Sequence, residues 1–84
     1  MRVFNPAKLD KKRRDRFPSF SEFFRQLVIA APEYGLKPHI NHIHNIINGK
    51  VVPGTRYLTL FAHVLECTVD SFLVTKKEKD AKEN

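Results

Sequence analysis

Between residues 39 and 48 the chain sets three histidines, His39, His42 and His44, and three asparagines, Asn41, Asn45 and Asn48, among four isoleucines. A carboxamide carries both a donor and an acceptor, so Asn41 and Asn45 can recognise any ligand that offers a matching pair of polar atoms. The histidines invite a metal reading, and His63 with Cys67 adds a second set of nitrogen and sulfur donors at i, i+4 spacing. At 100° per residue, however, His42 and His44 diverge by roughly 160° around a helix, and no CxxC or HExxH pattern is present. No metal site, cofactor or small-molecule effector is therefore expected. Catalysis is not expected either, because the sequence offers no nucleophile with a base and an orienting partner, no paired carboxylates and no glycine-rich phosphate loop.

The elements that must position these groups follow from periodicity and capping. Asn5-Pro6 pairs a capping side chain with proline at a first helical position, and 7–16 contains no Gly, Pro or β-branched residue. Only Ala7, Leu9 and Phe17 could dock it, which leaves 6–16 as either a first helix or a basic arm. Ser19 and Glu22 form a capping box. Phe20, Phe23, Phe24, Leu27, Val28 and Ala31 then recur at helical spacing, and Pro32 and Gly35 end the run in a connecting loop over 32–37. Pro38 is placed to open a helix over 38–48, in which Ile40, Ile43, Ile46 and Ile47 converge inward and Asn41, Asn45 and Asn48 lie opposite, with His44 at the margin. Asn48-Gly49 stops that helix. Thr55 can cap a fourth, striped by Leu58, Phe61, Ala62 and Leu65. A break at 67–70, capped by Thr68 or Asp70, precedes a short fifth helix over 71–74.

Eighty-four residues make one domain, too small for a cavity that closes over a substrate. The expected fold is all-α, a bundle of four to five short helices. Its parts are a basic arm or first helix at 1–18, a helical domain at 19–74 and a charged, disordered tail at 75–84. The single cysteine fits a reducing interior, and the absence of a long apolar run points to a cytoplasmic chain. The net charge of +6 is unevenly spread. Residues 1–18 hold seven Lys/Arg against two Asp, 19–74 hold four of each sign, and 75–84 hold four Lys against three acids. A basic N-terminal stretch beside a neutral core suggests a segment facing polyanion, or else simply a solvated end.

The segment HINHIHNIINGKVVPGTRYLTLFAHVLECTVDSFL, residues 39–73, resembles the second half of the lambda-repressor-like (XRE) helix-turn-helix family. The resemblance rests on Ile43 and Ile46 at inward positions, Asn48-Gly49-Lys50 directly after them, Pro53, the Leu58…Ala62…Leu65 stripe and the closing Val69-Asp70…Leu73. The connection over 32–37 is longer than the family's usual turn, no Leu-Ala pair precedes it, and Ile47 stands where an acid is common. The resemblance implies a regulator, of repressor type, that reads double-stranded DNA in the major groove. Ile40, Asn41, His44 and Asn45 would inherit base contacts, with asparagine pairing to adenine and Ile40 packing on a thymine methyl. Lys37, His39, Lys50 and Arg56 would meet phosphates, joined by Lys12, Arg13 and Arg14 of the basic stretch. Family members usually pair on a pseudo-palindromic operator, which implies a nucleoid-associated homodimer with Phe72 and Leu73 as interface candidates. The alternative is a protein-interaction module, an antitoxin-like or co-regulatory partner, in which the outer faces of these helices meet another protein.

Overall fold

In a computed structural model of the chain, residues 2–75 are described. The element order is β1 (Arg2–Phe4), α1 (Pro6–Arg16), α2 (Phe20–Ala30), a 3₁₀ turn (Ala31–Tyr34), α3 (Ile40–Ile47), α4 (Thr55–Leu65), a second 3₁₀ turn (Val69–Phe72) and β2 (Leu73–Thr75). The described residues are thus mostly helical, with four α-helices and one small ladder. Each helix contributes to a single core, whose fully enclosed side chains are Phe23, Phe61, Phe72, Leu9, Leu27, Ile43, Ile46 and Leu60.

Local chemistry explains where most helices begin and end. Asn5 Oδ1 accepts hydrogen bonds from the Ala7 and Lys8 amides at 2.9 and 3.3 Å, with Pro6 in the first helical position where no donor is needed. Ser19 Oγ accepts from the Glu22 amide at 3.2 Å. After α3 the Lys50 amide donates to the Asn45 carbonyl (2.8 Å) and the Gly49 amide to the Ile46 carbonyl (3.1 Å), with Gly49 at φ +79°. That is a Schellman ending, and glycine adopts its left-handed residue without a Cβ penalty. A Cβ on Gly49 would also stand 3.3 Å from the Pro6 ring, so the same residue permits α1 and the end of α3 to approach closely.

Several expectations are corrected. The 3₁₀ turn carries the chain on through Pro32 to Tyr34, so the connection to α3 is partly helical rather than an open loop. Helix α3 begins two residues later than Pro38, because His39 is extended (φ −108°, ψ 142°) and its carbonyl accepts the first helical bond, from the Ile43 amide at 3.1 Å. Gly54, not Thr55, is the N-cap of α4. The expected fifth helix over 71–74 is replaced by the second 3₁₀ turn and a strand, and Thr68 at its cap position makes no side-chain bond to the capped amides, its hydroxyl instead lying 3.5 Å from the Ser71 hydroxyl. Leu73, Val74 and Thr75 pair antiparallel with Phe4, Val3 and Arg2, a pairing that suits a β-branched run better than a helix. Thr75 therefore belongs to β2 rather than to the expected tail, and residues 76–84 lie outside the described residues.

Residues 1–18 are not a detachable arm. Leu9 is completely enclosed, Phe4 is buried, and α1 packs against each of the other three helices and the second 3₁₀ turn. Replacing Leu9 by Ala should cost about 2–5 kcal/mol of stability in chemical denaturation, whereas the exposed Lys12→Ala should stay within about 0.5 kcal/mol. Removing 1–16 should abolish cooperative unfolding altogether. A truncated protein that still melted cooperatively would show that α1 is dispensable to the core.

Candidate nucleic-acid interface

Eight residues of α3 rise about 12 Å, and their burial divides the helix into two sides. Ile43 and Ile46 are enclosed, Ile47 is half-buried, and Ile40, Asn41, His44 and Asn48 are exposed, with Asn45 half-buried at the edge. Ile40, Asn41, His44 and Asn45 are thus on one continuous arc. Asn48 shares it one turn beyond His44, on the side where the sequence places it, and also ends the helix. His42 lies apart from the arc, its ring meeting Tyr57 edge-on with centroids 5.1 Å apart.

His44 is not a free side chain. Its imidazole lies flat on the ring of Phe20, with centroids 4.0 Å apart and planes within 14°. Phe20 is the first residue of α2, so this stack links the start of that helix to the middle of α3 and limits how the His44 ring can turn. Phe20 also lies 6.4 Å from Phe24 in a near-parallel arrangement and 6.3 Å from Phe23 edge-on, so the imidazole caps a row of aromatic rings. Helical periodicity marks Phe20 as core but carries no information about a contact to another helix, and no sequence signal points to it.

The cations fall into two groups. Arg2 pairs with Asp70 (2.8 Å), Arg16 with Glu66 (2.7 Å), Arg25 with Glu22 (3.3 Å), and Asp10 holds both Arg13 (2.9 Å) and Arg14 (3.3 Å). Arg13 is turned inward, its side chain only 13 % exposed, and its guanidinium also donates to the Phe17 and Pro18 carbonyls. It braces the α1–α2 corner, which corrects its expected role as a phosphate contact. Arg14 is exposed but ion-paired, and of the three α1 positions named in the sequence only Lys12 is exposed with no ion pair among the described residues. The four arginines of the N-terminal segment are thus held by carboxylates, while Lys8, Lys11 and Lys12 are exposed and form no ion pair among the described residues.

By contrast, residues 34–65 contain no Asp or Glu at all, and within that stretch Lys37, Lys50 and Arg56 are exposed and form no ion pair among the described residues. Lys37 and His39 precede α3, Lys50 follows it in the Schellman ending, and Arg56 opens α4. The Arg56 guanidinium reaches the α2–α3 connection, where its Nη1 lies 3.7 Å from the position of a Cβ on Gly35. Both flanks of α3 therefore carry positive charge that nothing on the same stretch cancels. Of the interface candidates, Phe72 is fully enclosed within the single chain and has no area to offer a partner, and Leu73 is half-buried in β2.

Among the described residues no three His, Cys, Asp or Glu side chains converge, and His63 faces Tyr34 edge-on at 6.0 Å. No helix among them is long and apolar enough to cross a membrane. Comparison of the chain with protein families, with curated proteins and with solved structures finds no match.

The stack has a direct spectroscopic signature. Ring current from Phe20 should hold the His44 ring protons upfield, and Phe20→Leu should move them downfield while leaving those of His63 in place. Unchanged His44 shifts in that variant would show that the two rings do not stack in solution.

Proposed function

We propose that this protein binds double-stranded DNA and reads sequence with the exposed arc of α3, acting as a transcriptional regulator of repressor type. The observation that carries the reading is the distribution of charge. The arc of Asn41, His44 and Asn45 stands in a stretch of 32 residues without an acid, flanked by Lys37, Lys50 and Arg56, whereas the arginines elsewhere are largely occupied by carboxylates. Phosphate contacts supply affinity that depends on salt, and base edges supply discrimination. The flanks and the arc offer one set of groups for each.

The geometry is compatible with a groove. An α-helix is about 10–12 Å across with its side chains, which matches a major groove about 12 Å wide. Asn41 and Asn45, one turn apart, present carboxamides that match the N6/N7 edge of adenine, and Ile40 offers a methyl contact to thymine. His44, held flat on Phe20, would present a ring edge of fixed direction, which lowers the entropy lost on contact. The order of α2, α3 and α4 supports the helix-turn-helix resemblance, with the connection through Ala31–Tyr34 longer than that family's usual turn. A pseudo-palindromic site would take two chains on successive helical turns, but Phe72 cannot join them.

Binding to random-sequence duplex, followed by fluorescence anisotropy across a salt series, tests the polyanion premise before any operator is known. Lys50→Ala and Arg56→Ala should each weaken every sequence alike and make the log K against log salt slope shallower by about 0.9. On a preferred site selected from a random pool, Asn41→Ala and Asn45→Ala should each lose about 1–3 kcal/mol while folding stability stays within about 0.5 kcal/mol. If both asparagine variants bind that site like the parent and instead lose a protein partner, α3 belongs to an interaction module and the DNA reading falls.

A further inference from the structure

Helix α2 is more apolar than its core contacts require. Phe23 and Leu27 are enclosed, but Val28 is 46 % and Ile29 65 % exposed, and across from them Ile40, the first residue of α3, is 46 % exposed. Phe24, Val28, Ile29 and Ile40 line one shallow groove of about 360 Å³. Ile29 also borders a second groove, of about 490 Å³, between the C-terminal ends of α1, α2 and α4. The protruding side chain and the hollows beside it are therefore on the same surface.

We propose that this face of α2, together with Ile40, is where a second copy of the chain docks. Two features on the face select that occupant. A two-fold contact demands a patch that complements itself, and an exposed isoleucine flanked by grooves does so, since each copy's Ile29 enters a groove of the other. The surrounding charges are of both signs, with Arg25 beside Glu22 at one end and Arg16 beside Glu66 at the other. Such a balanced rim attracts neither a polyanion nor a strongly basic partner and favours a copy of itself. The exposed apolar residues of the patch are few against the roughly 800 Å² per partner of a standard interface, which places the association in the small, weak class.

The pairing covers the first turn of α3. With Ile40 near the two-fold axis, two helices of about 12 Å cannot reach reading heads spaced by a helical turn of about 34 Å. The paired form is therefore an assembly of the free protein, distinct from any two chains arranged on an operator.

Sedimentation equilibrium of the full chain up to about 1 mM, without DNA, measures the association, and an amide NMR dilution series locates it. A reversible dimer is expected, with concentration-dependent shifts confined to residues 16–17, 21–33, Ile40 and 63–66, which line the two grooves. Ile29→Glu should weaken it at least about tenfold, and Val28→Ser should weaken it less. Both sites are exposed, so thermal melts should match the parent. Val52→Ser, at a site 79 % exposed but outside the face, should leave association unchanged. A monomer at every concentration overturns the proposal, as does a dimer whose shifts map elsewhere or that Ile29→Glu leaves intact. Because no duplex is present, such a failure leaves the nucleic-acid reading standing.

Discussion

The arrangement of the molecule depends on how α1 is held. That helix is nearly all charge and encloses one side chain, Leu9, yet it packs against α2, α3 and α4 at once. Periodicity alone could not anchor it. It is fixed at both ends instead. At its start, β1 pairs with β2 and the Asn5 amide donates to the Phe72 carbonyl at 2.7 Å, while Arg2 reaches Asp70. At its end, Arg13 gathers Asp10 and the carbonyls of Phe17 and Pro18, and Arg16 meets Glu66. Exposed ion pairs contribute little each. Their value here is directional, because they set the angle at which Leu9 enters the core and therefore the surface against which the inner side of α3 rests.

That support determines what α3 can present. Its Ile43 and Ile46 are consumed inward, its C-terminus is closed by Gly49 against Pro6, and its middle is pinned through His44 to Phe20 at the head of α2. The carboxamides are left outward on a helix with little freedom to roll. The same economy explains the charge pattern: where arginine serves the fold it is paired with a carboxylate, and where a cation flanks α3 no carboxylate lies in the same stretch of chain.

Much of this was legible in the residues. Asn5-Pro6, Ser19 with Glu22, and Asn48-Gly49 mark helix ends through backbone chemistry that acts over three or four residues, and such signals survive in any fold. The isoleucine pattern of α3 and the Leu58-Phe61-Leu65 stripe of α4 likewise report a local period. What escaped depends on partners distant in sequence. A three-residue strand such as Arg2–Phe4 is too short to show alternation, and nothing near Leu73–Thr75 signals that its mate lies at the other end of the chain. Arg13 reads as one more cation in a basic run until the fold turns it inward. In the candidate site, periodicity places Ile43 and Ile46 inward and Asn41 outward, but it also places Ile40 inward, where the structure leaves it 46 % exposed at the start of α3; the Phe20 platform and the reach of Arg56 to Gly35 could not be read at all. Val28 shows the limit from the opposite direction: it fits the apolar period of α2 and still stands in solvent, because a stripe can be wider than the core it covers.

The ladder between Arg2–Phe4 and Leu73–Thr75 also bears on the order in which the molecule can be assembled. Its strands are separated by nearly the whole described chain, so their union closes the largest loop available, at an entropic cost that grows only slowly with length but is met before any gain. On a ribosome, β1 and α1 emerge before β2 and must wait for it before their own position is secured. Helices α2 to α4 can meet meanwhile through Phe23, Ile43 and Phe61. Of the described elements, the first made is thus the one set in place latest, and until then the nascent chain carries its most basic stretch undocked.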